Sequence, residues 1–185
     1  MGGILHVCTA NRIRSPLAEL MMRAILGSDY AIGSAGTSAV AGEPIWPQAG
    51  VVLREHAIDA SGFRSQPLTP ELVQAAELVL TATRAHRDAI VAADPSSLGR
   101  VFTWRELAWL LEGLRPRDVA AELDGLVGDE RLRALVAVAG ERRAYRPALR
   151  PKDLDVRDPV GGPPRQLLQA MAQIRTATAT IVRLL

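Results

Sequence analysis

The chain has 185 residues, 48% of them hydrophobic and 23% charged, which suits one globular domain and excludes collagen-like, coiled-coil and disordered chains. One cysteine and three histidines exclude a Cys/His zinc centre and any intramolecular disulfide. With 22 basic and 20 acidic residues the net charge is +2, too even to make nucleic acid the expected partner. Met1-Gly2-Gly3 and the short run Ile4-Leu5-His6-Val7 lack the basic segment and apolar length of a secretion signal. No apolar stretch is long enough for a membrane span. The expectation is a single domain over residues 1–185 in the cytoplasm, with no membrane association.

Ile4 to Val7 reads as a buried first strand ending at Cys8. Ser15-Pro16 then opens a helix, with Ser15 as N-cap and Leu17, Leu20, Met21, Ala24 and Ile25 at helical spacing; Gly27 stops it. A second strand is predicted over Tyr30 to Ala35, before a turn at Gly36. Helices follow at Pro47 to about His56, with Val51, Val52 and Leu53 inward, and after the Thr69-Pro70-Glu71 cap. Glu77 to Ala82 and Arg100 to Thr103 are the third and fourth strands, followed by helices over Arg84 to Ala93 and Trp104 to Leu114. The Ala/Leu/Arg/Glu-rich section between Arg115 and Pro151 reads as one or two amphipathic helices, and a last long helix runs from about Pro164 to Leu185. Strands alternating with helices predict a mostly parallel α/β sheet covered on both faces.

The specific chemistry lies in Cys8-Thr9-Ala10-Asn11-Arg12-Ile13-Arg14-Ser15-Pro16. A loop joining a strand end to a helix start turns successive N–H groups into one concavity above a helix N-terminus, which favours a tetrahedral anion. Cys8 lies at the base of that cradle, its thiolate favoured by the same dipoles and by Arg14. Arg14 offers a bidentate fork to two phosphate oxygens. In so arginine-rich a chain the Cys-x5-Arg spacing alone carries little. Its placement between a strand and a Ser-Pro helix start carries more. A displaced alkoxide also needs a proton donor, and Asp158, stiffened by Pro159, is the leading candidate, with Asp153 and Asp155 as competitors.

On these residues the chain resembles the low-molecular-weight protein-tyrosine-phosphatase family. The resemblance rests on the Cys8-x5-Arg14-Ser15-Pro16 loop, Ser34-Ala35-Gly36-Thr37, the Leu78 to Thr81 strand and Asp158-Pro159, in order and over most of the chain. It implies a small four-stranded parallel sheet flanked by helices on both faces, here with an extra helical section at about 115–151. It implies Cys8 as nucleophile, Arg14 as phosphate and transition-state ligand, and Asp158 as general acid. Thr9, Ala10, Asn11, Arg12, Ile13, Arg14 and Ser15 would form the phosphate-binding loop. Asn11 would hold a left-handed turn supported by Ser34, and Ser15 would support the thiolate. No metal or organic cofactor is implied. The expected substrate is a phosphotyrosine-containing protein or a small aryl phosphate.

The chain departs from the family pattern at several positions. Ala10 replaces a loop glycine, tolerable if its φ is negative, and Ile13 replaces a second cysteine that could trap oxidised Cys8 as a disulfide. Val40, Ala41 and Val160 fall where aromatic rings often wall the pocket, leaving Trp46 as the ring within reach of its mouth. Phe63 replaces a supporting histidine. Trp104 and Trp109 read as packing residues, and His6, His56 and His86 as structural or surface residues. Two other functions fit the loop. An arsenate reductase resolved by an external low-molecular-weight thiol needs only Cys8, and a silent phosphoprotein-binding module needs only the cradle. Oligomeric state is open at this point.

Overall fold

The computed structural model describes residues 2–185. In chain order it forms β1 (Ile4–Cys8), α1 (Arg14–Leu26), β2 (Ile32–Gly36), α2 (Pro47–Glu55), α3 (Pro70–Ala75), β3 (Leu78–Thr81), α4 (Arg84–Ala93), β4 (Val101–Thr103) and α5 (Trp104–Leu111). α6 (Ala120–Leu123), α7 (Gly128–Tyr145), α8 (Pro151–Leu154) and α9 (Pro164–Val182) complete it. The strands make one parallel sheet in the order β2-β1-β3-β4, with Cys8 paired to Gly36 and Val7 to Thr81. From β1 the chain passes to one side for β2 and to the other for β3. The carboxyl end of β1 is therefore the switch point of the sheet, where open α/β sheets hold their ligands.

Side chains alternate between the two faces, as a strand period of two requires. Ile4, Cys8, Leu78, Leu80 and Phe102 face a core shared with α1, α2, α5, α7 and α9. Leu5, Val7, Val79 and Val101 face a smaller core that includes Val73 of α3 and Ile90 of α4. Threonine side chains cap three helices: Thr69 accepts from Leu72 N–H, Thr83 from His86 N–H, and Thr103 from Glu106 N–H in a reciprocal capping box.

Several expectations shift. α1 begins at Arg14, and Ser15 does not cap it, because its hydroxyl is turned inward to the loop. β2 begins at Ile32 rather than Tyr30. In α2, Ala49, Val52 and Leu53 are buried while Val51 is exposed, since helical period puts it a quarter-turn from Val52. α5 stops at Leu111, where Gly113 takes a φ of 81°. The 115–151 section holds α6 and α7, and Leu132, Leu135 and Ala139 of α7 are buried in the first core. Arg143 lies over the Phe102 ring at 4.2 Å and pairs with Glu106 at 3.0 Å, tying α7 to the β4 edge.

Candidate active site

Between Cys8 and Arg14 the chain must reverse from strand to helix over residues 9–13. Asn11 makes the turn, with a φ of 52°, a left-handed conformation that asparagine tolerates. Ala10 is outside that region, so its methyl group adds no backbone strain. Asn11 is buried. Its Nδ2 donates to Ser15 Oγ at 2.9 Å and Ser34 Oγ at 2.7 Å, and its Oδ1 accepts the Gln66 N–H at 2.9 Å. Ser34 passes its own proton to Glu19 Oε2 at 2.5 Å. Burial raises the Glu19 carboxyl above the usual range, against the Ser34 hydrogen bond and the nearby Arg23 charge.

Gly36, at the end of β2, lets the loop lie this close. A Cβ there would sit 2.5 Å from the Thr9 carbonyl oxygen and 2.8 Å from the Asn11 nitrogen. Thr37 and Ser38 N–H groups accordingly donate to the carbonyls of Cys8 and Thr9 at 3.0 and 2.9 Å. Among the described residues the amides of Ala10 to Arg14 have no backbone acceptor, which leaves them free for a ligand at the uncapped start of α1. Ser15 Oγ, which accepts from Asn11, lies 3.0 Å from Cys8 Sγ and 3.4 Å from the Ala35 carbonyl oxygen, so it is hydrogen-bonded to the sulfur.

Arg14 is buried and held from three sides. Its Nη1 donates to the Val156 carbonyl at 3.1 Å, and its Nη2 donates to Thr9 Oγ1 at 3.2 Å and to the Asp158 carboxylate. The late segment is docked by Val156 N–H on the Ala82 carbonyl at 2.8 Å, which brings Asp158 over the loop. Val160 N–H, donating to Asp158 Oδ1 at 3.1 Å, orients the carboxylate. Asp155 instead accepts the Arg84 N–H at the start of α4 (2.8 Å), and Asp153 pairs with Arg150 on the surface at 2.6 Å. Neither competitor reaches the loop.

A cavity of about 170 Å³ lies over Cys8, walled by Ala10, Arg12, Ile13, Arg14, Trp46, Asp158 and Val160. Of the three suggested wall residues, Trp46 and Val160 are there and Val40 is not. Val40 is 68% exposed, with its carbonyl bonded by Ser65 Oγ. Arg12 fastens Trp46 in place. Its guanidinium lies 5.2 Å from the ring centroid, pairs with Glu43 at 3.3 Å and donates to the Pro44 carbonyl at 3.1 Å. Phe63 makes no hydrogen bond to the loop, where Asn11 is held by Ser15, Ser34 and the Gln66 backbone.

His86 is the residue that sequence reasoning missed. Its Nε2 meets Thr9 Oγ1 at 3.0 Å and its Nδ1 meets Thr83 Oγ1 at 2.7 Å. Thr9 Oγ1 also receives Arg14 Nη2–H, so His86, Thr9 and Arg14 form one connected chain of hydrogen bonds. Burial, then the Arg14 charge, pushes the His86 pKa down to about 4, against the opposing pull of Asp158 and Asp155. A signal was available in the chain, since Thr83 caps a helix leaving the carboxyl end of β3, the edge of the sheet that carries Cys8.

A family model described as low molecular weight phosphotyrosine protein phosphatase matches residues 3–111. The probable low molecular weight protein-tyrosine-phosphatase EpsP of Ralstonia solanacearum is 41% identical over 104 residues, 56% of this chain and 71% of that one. The protein-arginine-phosphatase of Bacillus subtilis is 37% identical over 106 residues, 56% of this chain and 70% of that one. The solved structure of YwlE arginine phosphatase from Geobacillus stearothermophilus is 26% identical with a TM-score of 0.66, covering 97% of this chain and 89% of that one. With the matched segment spanning the loop and every strand of the sheet, the chain belongs to the low molecular weight phosphotyrosine protein phosphatase family.

Proposed function

We propose that this chain is a protein-tyrosine phosphatase working through a phosphocysteine on Cys8, as one catalytic domain over residues 1–185. The observation that carries the reading is the cavity over Cys8, where residues from opposite ends of the chain, Arg14 and Asp158, meet across one small space. In this mechanism the amides of residues 9–15 and the Arg14 fork hold the phosphate oxygens, with charge stabilised where it develops. Cys8 Sγ, as thiolate, attacks phosphorus in line and forms the S–P bond as the P–O bond to the substrate breaks. Asp158 in its acid form gives its proton to the leaving oxygen. The resulting carboxylate then takes a proton from water as the water oxygen attacks phosphorus, the S–P bond breaks, and inorganic phosphate leaves. Ser15 O–H donates to the sulfur and stabilises the departing thiolate. Trp46 supplies a stacking face for an aryl group. A reducing compartment, taken as the cytoplasm, keeps Cys8 in use.

Steady-state hydrolysis of p-nitrophenyl phosphate and of phosphotyrosine and phosphoarginine peptides tests the reading. Cys8→Ser is expected to abolish turnover, and Asp158→Ala to reduce kcat by about 10² to 10⁴-fold. A faster rate on phosphoarginine than on phosphotyrosine overturns the choice of residue. No turnover by the wild type with Cys8 reduced overturns the hydrolase, and arsenate reduction with an external thiol would then take its place.

A further inference from the structure

Beside the cavity over Cys8 runs a second, larger one of about 430 Å³. It lies between α2 and the first turns of α9, with the 159–163 turn along one side and Ile13 of the loop at its base. Val51, Leu167 and Leu168 form its outer walls, and Gln48 is the only polar amide side chain lining it. The two cavities share Ile13, Trp46 and Val160. Eight large hydrophobic residues are exposed in the described chain, and three of them, Val51 at 44%, Val160 at 58% and Leu168 at 60%, line this groove. Isolated exposed apolar residues need no explanation, but a concave cluster of them marks a binding surface.

We infer that this groove is a specificity subsite taking a bulky aliphatic or aromatic side chain that neighbours the phosphorylated residue of a protein substrate. The inference rests on the reading that the substrate phosphate sits on the 9–15 loop. Continuity with that site identifies the occupant. The two cavities share Ile13, Trp46 and Val160, so a group in the groove lies beside the phosphorylated side chain, within reach of a residue near it in the peptide sequence. The size of the groove falls within the range of ligand clefts, and its lining offers no ion partner to a charged side chain. Val51, which helical period turns away from the core face of α2, completes the wall.

The test uses phosphotyrosine peptides with alanine and serine around the phosphorylated residue and a single leucine placed in turn at each of the two positions before and after it. Each kcat/KM is divided by that of the same protein preparation on p-nitrophenyl phosphate. One register is expected to favour leucine over serine by about ten-fold. Leu168→Asp is expected to bring that ratio to about one, while Leu98→Asp, at an exposed leucine outside the groove, keeps it. A ratio below about two at every position overturns the inference, as does a ratio that survives Leu168→Asp in a variant whose melting curve shows it folded. Should p-nitrophenyl phosphate not be hydrolysed, the phosphatase reading falls on its own. The groove is then judged by Trp fluorescence titration of Cys8→Ser with the same peptides, where equal affinities for leucine and serine peptides overturn it.

Discussion

His86 acts on the reaction through two other residues. Its Nε2 pairs with Thr9 Oγ1, and Thr9 in turn accepts from Arg14, so the histidine positions the guanidinium that the proposed mechanism sets on the phosphate. His86→Ala is expected to lower kcat/KM by about ten-fold and to weaken competitive inhibition by inorganic phosphate, since small misplacements of binding groups are costly. His86→Gln, whose side-chain amide can pair with Thr9 as donor or acceptor, should restore most of both. Loss of activity without a change in phosphate inhibition would show that the ring only fills space. Stability should depend on pH through the same side chain and through His6, which is fully buried with Nδ1 accepting from Trp104 Nε1–H at 2.9 Å. Burial holds the His6 pKa down at about 3 and that of His86 at about 4, against about 6.5 in the unfolded chain. Between those values the unfolded chain binds protons that the folded one refuses, so stability is full above about pH 6.5 and falls as the pH drops. Each histidine contributes up to about 1.4 kcal/mol per pH unit in that window, with Glu19 opposing in part. Urea midpoints at pH 7 and pH 5 measure this; equal midpoints would contradict it, and His86→Gln should narrow the difference.

Among the elements, the junction of β2 with the loop is tightly constrained. The register that pairs Cys8 with Gly36 brings the Thr9 carbonyl and Asn11 nitrogen against the glycine Cα, leaving no room for a methyl group. Gly36→Ala is expected to push the loop off its geometry and reduce kcat by about 100-fold or more, with a stability loss of about 1 to 3 kcal/mol from overpacking. Wild-type turnover in that variant would mean the loop relaxes at no cost to the chemistry. Much at this level was legible beforehand. Apolar runs and Ser/Thr-Pro signals located every strand and most helices, because cap and period are properties of neighbours in sequence. The errors fell at Ser15, whose hydroxyl is turned into the loop, at Val51, which faces away from the core, and at the bounds of β2 and α5, where a strand starts later and a helix stops earlier than the apolar run.

Across the whole molecule, the 115–151 section stands apart from the site. None of its residues lines either cavity, and Leu135 of α7 is buried in the core beneath α5. Leu135→Ala is therefore expected to cost about 2 to 5 kcal/mol of stability while leaving kcat/KM per folded molecule unchanged. A fall in kcat/KM below the melting transition would instead couple this section to catalysis. Amino-acid order alone determined the class of fold, the Cys8-x5-Arg14 loop and a short list of distant aspartates, Asp153, Asp155 and Asp158, from which a partner could come, since backbone amides, a guanidinium and a carboxylic acid have few other uses in such an arrangement. Tertiary structure alone decided which aspartate faces Arg14, that Trp46 walls the cavity and Val40 does not, that His86 stands behind Thr9, and that an apolar groove adjoins the site. The reason is physical: a cradle is built by consecutive backbone groups, whereas a wall or a relay is built by side chains dozens of residues apart that only packing brings within a few ångströms.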